Sequence, residues 1–145
     1  MKTAQKTIVS IPFPSVWGID ASIAGRPIIR GTLTIDSITG NRVIGTINFR
    51  GTPIPITGYW DENTKQIRFD SPYAMFSGTL TIIDDPAIRI RHFILNGQFI
   101  MKPPSLQAGE YGTWIAATHT PLTGPPIYTN GLPPVGAFLV SDILL

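Results

Sequence analysis

The stretch GTLTIIDDPAIRIRHFILNGQF, residues 78–99, decides the fold class. Apolar and polar side chains alternate in two runs, Phe76–Ile83 and Ala87–Leu95, as they do in half-buried β-strands. The Asp84-Asp85-Pro86 corner between the runs contains residues that favour turns. Asn96-Gly97 then predicts a type I′ turn into a further strand. The stretch therefore predicts part of an antiparallel meander.

The same alternation recurs along the chain. It predicts an edge strand over Thr7–Phe13 and further strands over Ser15–Ile23, Ile28–Ile38, Arg42–Arg50, Ile54–Trp60, Gln66–Asp70, Gln98–Lys102 and Tyr111–His119. The pentapeptide GTLTI occurs twice, at residues 31–35 and 78–82, which fits either a short repeat or ordinary strand chemistry. Because most connections are short, we expect an all-β, up-and-down meander barrel of about 8 strands, with a β-sandwich as the alternative.

Composition agrees with a single β-rich domain. The 145 residues include 14 glycines and 14 prolines, which favours many turns and argues against long helices. There is no cysteine, so disulfides and thiolate metal sites are excluded. The net charge of +2 is scattered along the chain, so no nucleic-acid partner is expected. No membrane span and no signal peptide are recognised, which predicts a soluble, cytoplasmic protein.

The C-terminal part differs from the rest of the sequence. We expect residues 1–120 to form the barrel and residues 121–145 to form an extension. Pro121–Pro134 contains five prolines and predicts an extended spacer. Val135–Leu145 is strongly apolar and predicts a docking strand, either on its own sheet or on another subunit. A homo-oligomer is therefore expected.

Three tryptophan motifs resemble the avidin and streptavidin family, a group of calycin-type barrels. The motifs are Val16-Trp17-Gly18, Gly58-Tyr59-Trp60 and Gly112-Thr113-Trp114, and Ala116-Ala117-Thr118 follows the last of them. The family's Trp-Leu-Leu motif has no counterpart, and His92-Phe93-Ile94-Leu95 occupies that region. The resemblance therefore implies a barrel more than it implies biotin binding, and lipocalin-like barrels are an equal comparison.

Aromatic side chains are the best candidates for a binding site, because aromatic walls with a polar handle are typical of small-ligand pockets. Trp60, Trp114 and Tyr59 are expected to line the open end of the barrel and to bind a small hydrophobic or amphipathic ligand, with no cofactor. The wider set of aromatic residues near strand ends or glycines is Trp17, Tyr73, Phe76 and Tyr111.

His92 is the fourth candidate ligand-binding residue. By parity with Ile88 and Ile90 it should point inward, and Arg89 and Arg91 should point outward. No nucleophile-elbow motif supports a triad of Ser77, His92 and Asp84, so no catalytic residue is assigned.

Two further functions stay open beside ligand binding. The first is a structural or interaction protein that assembles through its C-terminal extension. The second is a barrel-type isomerase or cyclase, which would need His92, His119 or carboxylates in the lumen. No metal site is expected, because the two histidines are distant in the sequence and form no cluster.

Overall fold

The computed structural model describes residues 9–23 and 26–127 as eight antiparallel strands that close into a barrel. The strands are β1 (Ser15–Ile23), β2 (Ile29–Thr39), β3 (Arg42–Asn48), β4 (Ile54–Asp61), β5 (Gln66–Asp70), β6 (Ala74–Asp85), β7 (Ile90–Met101) and β8 (Tyr111–Pro121). Each strand pairs with the next along the chain, and β1 pairs with β8 to complete the ring. The predicted meander barrel is confirmed. No helix in the described ranges is long and apolar enough to cross a membrane.

Alternate side chains of the strands fill the interior. Trp17, Leu33, Phe69 and Leu95 are completely buried, as the period of two requires. The two GTLTI segments lie on β2 and β6, and both turn their leucine inward. Pro55 is accommodated because it precedes the part of β4 that pairs with β5, which begins at Thr57.

The type I′ turn occurs in a different hairpin from the one predicted. Gly40 and Asn41, between β2 and β3, have φ values of 57° and 70°, and a type I′ turn needs positive φ at both central residues. The prediction of a turn at Asn96-Gly97 is wrong, because β7 runs through both residues without a break. The expected strands Ala87–Leu95 and Gln98–Lys102 are therefore parts of one strand.

Gly97 serves close packing instead of a turn. It pairs with Gly78 on β6 and with Trp114 on β8. A Cβ atom on Gly97 would lie 1.8 Å from the carbonyl oxygen of Ser77, and one on Gly78 would lie 2.7 Å from the Trp114 ring. Gly97 thus permits the close approach of the β6 backbone, and Gly78 makes room for the tryptophan.

The facing of β7 also differs from the prediction. Phe93 and Leu95 are buried in the interior, so Arg91 points inward and His92 points outward. The inward orientation of Arg91 is possible because Asp84 of β6 accepts two hydrogen bonds from its guanidinium, at 2.6 and 2.8 Å. A buried charge is tolerated when it is paired in this way.

The two ends of the barrel are covered differently. At one end, here called the closed end, lie the start of β1, the β2–β3, β4–β5 and β6–β7 turns and residues 122–127. At the other, the open end, lie the connections over residues 49–53, 71–73 and 102–110. Residues 9–13 form no strand, so the described part of the predicted edge strand Thr7–Phe13 is wrong. The expected docking strand Val135–Leu145 and most of the spacer lie outside the described residues.

Candidate functional site

The segment before β1 covers the closed end. Ile11 is 2% exposed and belongs to the hydrophobic core. Glu62, in the β4–β5 turn, holds this segment by accepting hydrogen bonds from Ser10 Oγ, Lys65 Nζ and Trp60 Nε1. Burial would raise the pKa of Glu62, but these hydrogen bonds and the charge of Lys65 lower it below its ordinary value.

The segment after β8 covers the same end. Leu122 is buried, and its carbonyl accepts a hydrogen bond from Arg89 at 3.1 Å. The backbone N–H of Ile127 donates to Asp84 at 2.6 Å, beside the Arg91 pair. Burial would raise the pKa of Asp84, but Arg91 and the Ile127 N–H lower it. The carboxylate oxygens of Asp84 thus connect β7 and the segment after β8 to β6.

The open end contains a cavity of about 590 Å³. Six of the eight strands and four of the connections between strands supply its lining. The apolar lining residues are Ala21, Ile23, Pro27, Ile29, Ile47, Phe49, Ile54, Tyr73, Ala74, Phe76, Phe99 and Met101, and the polar ones are Ser22, Arg26, Arg50, Thr52, Ser71, Ser105 and Gln107. This volume falls within the range of small-molecule sites, roughly 300–1,000 Å³.

Two phenylalanines give the cavity a rigid apolar wall. Phe76 and Phe99 are almost fully buried, and their rings stack with centroids 5.4 Å apart. On the core side, Phe76 stacks on Phe69 at 4.8 Å and meets the edge of Trp114 at 5.9 Å. Such aromatic pairs add to the energy of area burial and fix the rings in place. The inner part of the cavity is therefore preformed.

The rim of the cavity is polar and exposed. Arg26 pairs with Glu110 at 3.1 Å, which connects the region after β1 to the loop before β8. Arg50, in the connection between β3 and β4, is exposed. No acidic side chain of the described residues lies within ion-pair distance of Arg50. A ligand with an apolar body and a polar or anionic head would match this gradient from apolar wall to cationic rim.

The structure does not bring the four predicted ligand-binding residues together. Trp60 is buried near the closed end, where it donates to Glu62 at 2.9 Å. Trp114 is buried in the core, and its Nε1 donates to the carbonyls of Ser77 and Gln98. Tyr59 and His92 lie on the outer face of the barrel. A role of these residues in ligand binding stays a prediction.

The cavity includes residues that the sequence singled out only in part. Tyr73 and Phe76 belong to the wider aromatic set considered from the sequence, and both line the cavity. Phe49, Phe99 and Met101 also line the cavity, but no sequence motif marks them as site residues. Their shared signal is a position at the end of a strand on the same side of the barrel, which becomes visible only once the direction of every strand is known.

The histidines are neighbours in space. His92 and His119 lie directly opposite each other on β7 and β8, with ring centroids 6.4 Å apart. Both face outward, whereas Asp84 faces the interior and Ser77 is exposed on the outer face. The Ser77–His92–Asp84 combination is therefore not assembled.

Comparison with protein-family models, with curated proteins and with solved structures gives no match for this chain. The closed eight-stranded barrel fits a calycin-like barrel in general shape. The closer likeness to avidins stays a prediction.

Proposed function

We propose that the protein binds a small amphipathic ligand, without catalysis, in the cavity at the open end. The observation that carries this proposal is the gradient within one cavity of about 590 Å³, from buried Phe76 and Phe99 to exposed Arg50 and Arg26. Burying the apolar part of a ligand against this wall would contribute about 25 cal/mol for each Å² removed from water. The rim would hold the polar head.

Covering of the opposite end supports binding from one side. Ile11 and Leu122 are buried at the closed end, and Glu62 and Asp84 hold the two covering segments through hydrogen bonds. A ligand would therefore enter from the open end and extend toward the Phe76–Phe99 stack. Its length is limited by the core, because Phe69 and Trp114 fill the next layer.

The test is a titration with decanoate, decanol and decylammonium, monitored by intrinsic tryptophan fluorescence and by thermal unfolding. Trp114 contacts Phe76, so occupancy of the cavity should change its emission. Decanoate should bind most tightly because of the cationic rim, and Arg50→Ala should reduce that preference by about tenfold, the effect of one charge-assisted hydrogen bond.

The control separates the cavity from the surface. Ala74→Phe fills the cavity from β6 and should abolish binding, whereas Thr79→Phe, on the exposed outer face of the same strand, should leave it unchanged. Ala21→Leu gives a second filling variant should Ala74→Phe fail to fold. Equal binding by the filled and unfilled proteins, or no response to any of the three ligands, would show the proposal to be wrong.

A further inference from the structure

A second candidate site lies on the outer wall of the barrel, near the closed end. His92 and His119 are the two histidines of the chain, and the β7–β8 register places them directly opposite each other. Side chains directly opposite in an antiparallel pair have Cβ atoms about 5 Å apart and stand on the same face of the sheet. The two rings lie 6.4 Å apart, tilted by 53°.

Solvent can reach this pair. His119 is exposed and His92 is half-buried. Pairing between β1 and β8 ends at Gly18–Ala117, so His119 lies beyond the part of β8 that β1 covers. The nearest cation on β7, Arg91, points to the opposite face, where Asp84 binds it. The Arg91 guanidinium therefore does not share the face that carries the two imidazoles.

We infer that His92 and His119 chelate one divalent transition-metal ion, such as Zn²⁺, Ni²⁺ or Cu²⁺. Imidazole nitrogen is a preferred ligand of these ions, whereas Mg²⁺ and Ca²⁺ prefer oxygen. Zinc–nitrogen bonds are about 2.0–2.1 Å long, so an ion seated between the two rings needs only rotation of the side chains. The described residues contain no cluster of three or more histidine or acidic side chains, so water completes the coordination.

Equilibrium dialysis of the untagged chain against Ni²⁺ or Zn²⁺ tests the site directly. The expected result is one ion per chain, with Mg²⁺ not bound under the same conditions. His119→Ala and His92→Ala should each weaken Ni²⁺ binding by about tenfold or more, since even loss of a residue that only supports a metal ligand costs 10–100-fold. Thr113→Ala, an exposed outward position on the same strand, is the matched control and should bind like the unaltered chain.

Thermal unfolding provides a second readout. Ni²⁺ should raise the unfolding temperature of the unaltered chain and of Thr113→Ala, because a ligand that binds only the folded state stabilises it. It should not raise that of His119→Ala. Retention of full Ni²⁺ affinity by both histidine variants, or absence of binding by the unaltered chain, would overturn the inference. His92 and His119 do not line the cavity at the open end, so ligand binding there and metal binding here are tested independently.

Discussion

Trp114 is the residue on which the packing of the barrel core most visibly depends. Its ring lies against Gly78, and its Nε1 donates to the carbonyls of Ser77 and Gln98 at 3.0 and 3.1 Å. A buried indole N–H without a partner would be costly, so these two carbonyls offset its burial. A Cβ atom on Gly78 would lie 2.7 Å from the ring, so no larger side chain fits there.

Gly97→Ala should destabilise the protein by roughly 3 kcal/mol, the upper part of the usual range for overpacking, because the added Cβ would meet the Ser77 carbonyl. Gly18→Ala is the matched control. A Cβ on Gly18 meets nothing within 4 Å, so the free energy of unfolding should change by less than about 0.5 kcal/mol. Urea unfolding measures both. Equal effects of the two substitutions would contradict this account of Gly97.

Sequence parity could not place His92 on the correct face, for a physical reason. Apolar side chains occupy both faces of this part of β7, since Ile94 is half-exposed outside and Phe93 is buried inside. Alternation therefore does not indicate which side chains of this part of β7 face the barrel interior. Burial of Phe93 and Leu95 sets which face of β7 is inside, and the Arg91–Asp84 pair that makes this orientation possible is not visible in the sequence alone.

At the scale of elements, the β6–β7 hairpin carries a polar contact in the barrel interior. The Asp84 side chain is fully buried and the Arg91 side chain is 14% exposed, so water screens their ion pair only weakly. The same contact raises the pKa of Arg91. Removing one partner of a buried pair leaves an uncompensated charge, which is more costly than losing a surface pair.

Asp84→Asn should therefore reduce the free energy of unfolding by roughly 3 kcal/mol, the lower part of the range for broken buried pairs. Asp85→Asn, the next residue along β6, is the control and should change it by about 0.5 kcal/mol or less. The measurement is urea unfolding at pH 7. A small effect of Asp84→Asn would mean that the pair adds little to stability.

The same variant should change the dependence of stability on pH. The pKa of Asp84 is lowered in the folded state, so its contribution is complete above the unfolded value of about 3.9 and is lost as pH falls through the folded pKa. The difference in stability between the unaltered chain and Asp84→Asn should thus shrink below about pH 4. Unfolding at pH 3 and pH 7 tests this sign.

The outer wall also has an apolar row across three strands. Met75, Ile100 and Tyr111 are directly paired and are 41%, 42% and 69% exposed. Exposed apolar rows of this kind are found at contacts between proteins. The homo-oligomer that the C-terminal extension predicts stays a prediction.

At the scale of the molecule, the sequence predicts the strands because each one pairs with its neighbour in a local hairpin. The sequence predicts strands such as Gln66–Asp70 correctly, because their alternation and their turns depend on neighbouring residues. The binding cavity could not be placed in the same way. The closed end is covered by Ile11, which precedes β1, and by Leu122, which follows β8. These two residues are far apart in the sequence, so local patterns do not show that they cover the same end of the barrel.

Closure of the ring has a consequence for how fast the chain folds. Seven of the eight strand pairings join neighbours in sequence, whereas the β1–β8 pairing joins Gly18 to Ala117. Long loops must be closed before such a pairing contributes stability, so it should form after the folding transition state.

Ile19→Val, within this last pairing, should then speed unfolding and leave the folding rate nearly unchanged, whereas the matched Ile67→Val on β5 should also slow folding. Stopped-flow kinetics distinguish the two. Slower folding of Ile19→Val would contradict late closure. Late closure also means that the lifetime of the folded barrel is set by the rate at which the β1–β8 pairing separates.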